Sequence, residues 1–391
     1  MALENVDFNS LSAADLLRLI ENGVAEGREI EYKRDPIGRA DEEKKEFLKD
    51  VSSFVNGAGG HIIIGMRTED GVATELVGIE VADLDAEVQR LDSMIRDNLE
   101  PRTIGVQVRS VSGGNGRSVL VVRIPRSWSP PHRVSFRGWN KFFVRNSNGA
   151  HEANVEELRS MFTAGAQLTD RIRQFRDERI EAILRGDTPI PVKRDGQFVL
   201  HIVPFSFLGK PLVDLQWVVS NPQHFTPFSG ASSIPSYNFD GVITTPGSAI
   251  DGFYRAYVQV FRNGCVESVC GGEIRGRDGN RYCRQVEPSV FPALPNYCNG
   301  LSALRVPPPV AVMISVLGVR GTALLIHNPW HDTQKLVQRD NLLLPQISLQ
   351  SLQLEGNWHL IFKPAIDVIW NAYGFAECPH FTAEGVWQPP R

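Results

Sequence analysis

The chain has 391 residues, 42% of them apolar and 22% charged. It is too long for one ordinary core and too apolar for extensive disorder, so two or three globular domains are expected. The formal net charge of −4 excludes attraction of the molecule as a whole to a polyanion, so any such binding rests on how charge is distributed.

Ser12 to Asn22 reads as a first helix, with Leu16, Leu17 and Ile20 on one face and Gly23 as its stop. Arg28 to Arg34 alternates as a strand, with Ile30 and Tyr32 on one side and Glu29, Glu31 and Lys33 on the other. Asp41 can cap a second helix to about Asn56, whose apolar stripe is Phe47, Leu48, Val51, Phe54 and Val55. Gly59-Gly60 turns the chain into a buried strand, His61 to Met66, and Thr68 to Gly71 reads as a turn. A third helix covers Asp83 to Leu99. Strands Thr103–Val111 and Arg117–Pro125 flank the Gly113–Gly116 loop. After a Pro-rich loop, Lys141 to Arg145 is a strand, and Asn154–Phe162 and Gln167–Arg185 are helices.

Asp187 to Pro191 then breaks the chain. In the second half Phe198–Phe205, Leu215–Val219, Val310–Leu317 and Ala323–Ile326 read as strands. Tyr254–Phe261 and Cys265–Val269 flank Arg262-Asn263-Gly264, an Asn-Gly signal that suits a type I′ hairpin turn. Lys363 to Tyr373 is a helix with Pro364 in its first turn. The expected class is α+β. An N-terminal helix (1–24) precedes a mixed-sheet domain (25–162), a connecting helix (163–188) and an α+β domain with a substantial sheet (189–391).

Met1–Ser12 has no basic start leading into an apolar run. The longest apolar stretches fall far short of the ~20 residues a membrane span needs. A cytoplasmic protein without a membrane partner is expected. The five cysteines, Cys265, Cys270, Cys283, Cys298 and Cys378, are odd in number and form no Cys-x-x-Cys pair, so buried reduced thiols are expected.

Charge is segregated along the first half. Every formal charge from Pro101 to Ala150 is positive, including Arg123, Arg126, Arg133, Arg137, Lys141 and Arg145, while the preceding hundred residues are acidic. Trp128, Phe136, Trp139, Phe142 and Phe143 interleave with them. Guanidinium forks suit phosphates and exposed rings stack on unpaired bases, so this segment is the expected nucleic-acid surface. The competing reading pairs these arginines with acidic groups of the first helices and places the rings in the core.

The Gly57–Gly65 turn lacks the Lys-Ser/Thr of a P-loop, and its glycines read as backbone permissiveness, with Gly57 as a helix C-cap. His327, His331 and Asp332 surround Asn328-Pro329-Trp330, where the proline precludes a regular helix; a surface loop is expected. Cys378-Pro379-His380 is a weak metal signature.

Three segments together resemble the Schlafen/AlbA-type domain family. They are Glu26-Gly27-Arg28-Glu29-Ile30-Glu31-Tyr32-Lys33, the helix-to-strand turn Phe54–Gly65, and Phe143-Val144-Arg145-Asn146-Ser147-Asn148. The resemblance implies nucleic-acid binding. In some members it also implies metal-dependent cleavage of transfer or ribosomal RNA, and bacterial relatives are described as transcription regulators or as ATP-binding. Carried over, it makes Glu26, Glu31 and Lys33 catalytic. Glu26 and Glu31 would hold Mg²⁺ or Mn²⁺; Arg67 stands where the family has its third carboxylate, and Glu69 or Asp70 just beyond it would take that place.

The first functional reading is therefore a metal-dependent endoribonuclease, in stress or phage defence, with RNA favoured over DNA. The alternatives are a non-catalytic DNA- or RNA-binding transcriptional regulator, or an ATP-binding regulatory protein, with a C-terminal domain that senses a ligand or partner. With only one recognisable lobe, a homodimer or larger even-numbered assembly is expected to complete a basic trough.

Overall fold

The computed structural model describes residues 3, 8–103, 105–113, 116–147, 149–208, 212–228, 230, 232–277, 279–326 and 335–390. The chain divides into two compact units, Met1–Thr169 and Asp170–Arg391.

The first unit runs α1 (Ala13–Glu21), β1 (Ile30–Lys33), α2 (Asp41–Val55), β2 (Gly59–Ile64), β3 (Met66–Glu69), β4 (Val72–Leu76) and α3 (Leu84–Asn98). There follow β5 (Leu99–Glu100), β6 (Gln107–Ser112), β7 (Ser118–Pro125), β8 (Arg133–Phe136), β9 (Trp139–Asn146), β10 (Gly149–Glu152) and the start of α4 (Val155–Arg185). One sheet has the order β1-β2-β7-β6, with β1 and β2 parallel; the other is β10-β9-β8-β5.

The apolar stripe of α2 decides the layering. Phe47, Leu48, Val51 and Phe54 pack against Ile62 and Ile64 of β2, Leu120 and Val122 of β7, and Val134 and Phe143 of the second sheet. The opposite face of the first sheet is closed by Leu16 and Leu19 of α1 over Tyr32, Ile63, Val119 and Val121. Each such fully buried Leu, Val or Phe contributes about 1.5–3 kcal/mol.

The register of β1 matters most. Glu31 lies beside Ile62 and Lys33 beside Ile64, so the charged face of this edge strand is the face that α2 covers. The alternation of Arg28–Arg34 is present, but its polar side turns inward.

The second unit starts with the remainder of α4, then β11 (Gln197–Pro204), α5 (Leu215–Ser220), β12 (Ile234–Tyr237), β13 (Gly241–Thr245), β14 (Ala256–Phe261) and β15 (Val266–Gly271). It continues with β16 (Ile274–Arg277), β17 (Asn280–Cys283), α6 (Glu287–Ala303), β18 (Val310–Leu317), β19 (Ala323–Leu324), β20 (Asn341–Leu343), β21 (Ile347–Leu349) and α7 (Lys363–Ala372). An eight-stranded antiparallel sheet, β12-β13-β14-β15-β11-β18 with β20 and β21 both on β18, forms its centre. One face of the sheet carries the large core with α6 and α7; Ile180 and Ile183 of α4 cover the other. A buried carboxylate, Glu267, pins α4 there. It accepts hydrogen bonds from Arg179 Nε and Nη2 (2.8 and 2.9 Å), His201 Nε2 (3.0 Å) and the Tyr257 hydroxyl (2.7 Å). Burial alone would raise the Glu267 pKa, but Arg179 and His201 outweigh it and hold it at about 2. The protein is α+β, as its sequence texture indicates, and no described helix is long and apolar enough to cross a membrane.

Several local expectations are corrected. Leu215–Val219 is a helix: the Asp214 carboxylate caps the Trp217 amide, a start signal that overrides a short segment in which four of five residues are apolar. Asn154–Phe162 and Gln167–Arg185 belong to one helix, α4, since the intervening Thr-Ala-Gly-Ala costs only about 1 kcal/mol at its glycine. The turn assigned to Thr68–Gly71 shrinks to Asp70-Gly71, both at positive φ, which makes β3–β4 a hairpin. In the Arg262–Gly264 hairpin only Gly264 has positive φ, so the turn carries a glycine bulge rather than a type I′ pair. Helix α6 was hidden by Pro292 and Pro295 within it. Asp41 begins α2 rather than capping it, and the Glu43 side chain accepts the Ala40 amide instead. All five cysteines are buried and free. His327, His331 and Asp332 lie outside the described residues.

Candidate nucleic-acid interface and its charge network

Because β1 turns Glu31 and Lys33 under α2, they meet two residues from other elements. Lys33 Nζ lies 2.9 Å from Glu31 Oε1 and 2.8 Å from Asp50 Oδ2. Arg145, from β9, forms an ion pair with the other Glu31 oxygen and lies 3.7 Å from Asp50 Oδ1. Its Nε donates to the Gly27 carbonyl at 2.6 Å, and its guanidinium stands 4.4 Å over the Phe54 ring. The Arg145 and Asp50 side chains are 3% and 4% exposed. Burial pushes the Glu31 carboxyl up, but Lys33 and Arg145 outweigh it and hold it below its usual range. Lys33 is held charged against burial by Asp50 and Glu31.

Glu26 has a different task. Its Oε1 accepts the Tyr32 amide at 3.0 Å and its own amide donates to the Gly71 carbonyl at 2.8 Å, which closes the entry to β1. Burial, with Glu31 nearby, raises its pKa. Asp70 is exposed at the hairpin tip, and Arg67 pairs across that hairpin with Glu75. No group of three or more His, Cys, Asp or Glu among the described residues is placed to hold a metal ion. Both Glu31 oxygens are engaged by Lys33 and Arg145, and Glu26 Oε1 by the Tyr32 amide.

The basic residues do not share one surface. Arg145 is internal, which corrects its expected place on a phosphate-binding face: β9 turns it towards α2. Arg133 pairs with Glu100, Arg137 with Asp41 and Lys141 with Glu152. Arg123 and Arg126, at the end of β7, are exposed and form no ion pair with a described residue. The Arg126 guanidinium lies 5.1 Å over the half-buried Trp128 ring, and Arg123 lies 6.0 Å over Phe8. Burial, with the charge of its register partner Arg123 beside it, pushes His61 on β2 down to about 4. Phe136 and Phe143 are core; Phe142 is half-buried.

The glycine turn is structural. Asn56 ends α2 and makes three cross-links. Its Nδ2 donates to the carbonyls of His132 (2.8 Å) and Phe143 (2.9 Å), and its Oδ1 accepts the His132 amide (2.7 Å). Gly57 keeps an ordinary negative φ, so it is not the left-handed cap expected of it. At Gly60, φ is +156°, and a Cβ would stand 2.4 Å from the Glu29 carbonyl oxygen and 2.6 Å from the Phe54 ring.

Residues 26–154 match the family model described as Schlafen, AlbA_2. The AlbA_2 segment thus begins at Glu26 and contains the whole charge network, including Asp50. Sequence reading missed Asp50, although its position in α2, between Phe47 and Phe54 on the buried stripe, was a signal. No curated protein matches the chain. Among solved structures, the DIP2311 protein from Corynebacterium diphtheriae is 17% identical, with 37% of this chain covered and a TM-score of 0.26. This chain spans only 27% of that protein's length. The N-terminal domain of a putative ATP-dependent DNA helicase RecG-related protein from Nitrosomonas europaea is 22% identical over 37% of this chain and 94% of its own, with a TM-score of 0.27.

Proposed function

We propose that the protein binds nucleic acid through its AlbA_2 segment without cutting it, single-stranded RNA in preference to duplex DNA. The family match supports the nucleic-acid role. The observation that carries the interface is the Arg126–Trp128 pair: an exposed guanidinium with no carboxylate partner among the described residues lies over a half-exposed ring, with exposed Arg123 three residues earlier. Such a pair offers a fork to a phosphate and a platform to an unstacked base. The engagement of Glu31 by Lys33 and Arg145 favours binding over cleavage, because a carboxylate that neutralises two internal cations is not available to a metal-bridged phosphate.

Fluorescence anisotropy with labelled RNA and DNA oligonucleotides tests this. Binding weakens with added salt, and the Arg123→Ala/Arg126→Ala double variant loses most of the affinity. Salt-insensitive binding, or equal binding by the double variant, overturns the interface. RNA cleavage in Mn²⁺ that disappears in Glu26→Ala would replace this reading with a nuclease.

A further inference from the structure

The β16–β17 hairpin of the second unit carries Arg275, Arg277 and Arg281, with Arg284 directly after it. Arg275 pairs in register with Tyr282, and Arg277 with Asn280, so these four side chains share one face. Ile274 and Cys283 occupy the other face and are buried.

Beneath the hairpin sits Glu273, whose carboxylate is 1% exposed. One of its oxygens lies 3.6 Å from Arg255 Nη2 and the other 3.4 Å from Arg284 Nη1. The two arginine side chains remain 46% and 39% exposed. A single buried carboxylate thus has two guanidiniums within ion-pair range, one on each oxygen, and among the described residues it is the one carboxylate paired with either. Two positive charges on one negative charge leave a net attraction for a further anion. Arg281, the register partner of Gly276, lies on the opposite face with Ile274 and Cys283 and pairs with Asp195 at 2.9 Å, so it stands outside this group. Arg275 is exposed and forms no ion pair with a described residue.

A lone ion pair holding the fold together needs one arginine per carboxylate. Here a buried acid orients two, and further arginines continue along an extended ribbon at intervals of about 7 Å. That layout suits a string of phosphates better than a single one, and the half-buried Tyr282 ring lies on the same face for stacking.

We propose that this hairpin surface, built on the Glu273-held Arg255–Arg284 pair, is a second binding site for the phosphodiester backbone of single-stranded nucleic acid. It extends the nucleic-acid reading to the second unit but stands on different residues from the AlbA_2 segment.

The test uses the full chain and a labelled single-stranded RNA, read by anisotropy at several salt concentrations. Arg275→Ala and Arg284→Gln each weaken binding several-fold and lower the salt slope by about one, while the melting temperature of Arg275→Ala stays that of the wild type. If both variants keep wild-type affinity and slope while Arg126→Ala loses affinity, the hairpin surface is overturned and the N-terminal interface stands. If the hairpin variants weaken binding and Arg126→Ala does not, the hairpin surface stands and the N-terminal interface fails. Displacement of the RNA by inorganic phosphate or pyrophosphate as readily as by unlabelled RNA overturns the nucleic-acid surface in favour of a small-anion site.

Discussion

Lys33 Nζ lies 2.8 Å from Asp50 Oδ2, joining the edge strand β1 to the helix that covers it. Both charges sit between an apolar helix stripe and a sheet, and Arg145 and Glu31 complete the group. Three consequences for stability follow from this part of the fold and one from the second unit.

Removing Arg145 leaves Glu31 and Asp50, two buried carboxylates, to share Lys33 as their one cation in this network. Breaking a buried pair from one side costs about 3–5 kcal/mol. Arg145→Ala is therefore expected to lower the urea midpoint of the AlbA_2 unit sharply, whereas exposed Arg126→Ala leaves it unchanged. Equal midpoints for the two variants would show that the network contributes nothing.

Glu31 and Glu26 respond to pH in opposite senses. Glu31 is depressed below its usual range, so its stabilisation is full above its unfolded pKa and is lost as pH falls through the folded value. Glu26 is raised, so its contribution is present at acid pH and lost as pH climbs through the folded value. Urea midpoints measured between about pH 3 and pH 7 should show an acid limb that Glu31→Gln flattens. Glu26→Gln keeps the Tyr32 hydrogen bond through its amide oxygen and is expected to gain stability at neutral pH relative to wild type.

Asn56 satisfies the His132 amide and the Phe143 carbonyl, and shares the His132 carbonyl with Ser52 Oγ, which donates to it at 3.0 Å. Asn56→Ala removes the side-chain partners of the first two, at about 1–3 kcal/mol for each one left buried and unsatisfied. Thermal melting should report a large loss, and Asn56→Asp, which keeps the acceptor but not the donors, should fall between. A melting temperature unchanged in Asn56→Ala would refute the cross-link.

In the second unit, Glu267 counters Arg179 from inside the sheet. Glu267→Gln leaves that arginine without a buried counter-charge and is expected to cost about 3–5 kcal/mol. Hydrogen exchange should then show faster opening of the α4 amides from Ile180 to Ile183. Unchanged protection would mean that apolar packing alone holds this end of the helix.

Local chemistry determined a large part of this protein from sequence. Apolar spacing in Phe47–Val55 fixes a helix and its buried face, alternation in Ile30–Lys33 fixes a strand, and the Phe54–Gly65 turn marks the family segment. These signals are local because backbone period and turn geometry are set within a few residues. Periodicity says which side chains share a face, but only the tertiary register says what that face meets. Parallel pairing with β2 turned Glu31 and Lys33 under α2 and onto Arg145, a residue 114 positions away. The same limit applies to the arginines of Pro101–Ala150. Their shared sign is visible in the sequence, but Asp41, Glu100 and Glu152 neutralise three of them across elements, and only the folded chain leaves Arg123 and Arg126 at the surface without a carboxylate among the described residues. Charge pairing is decided by distance in space, which sequence spacing encodes only within a helix turn or a strand pair.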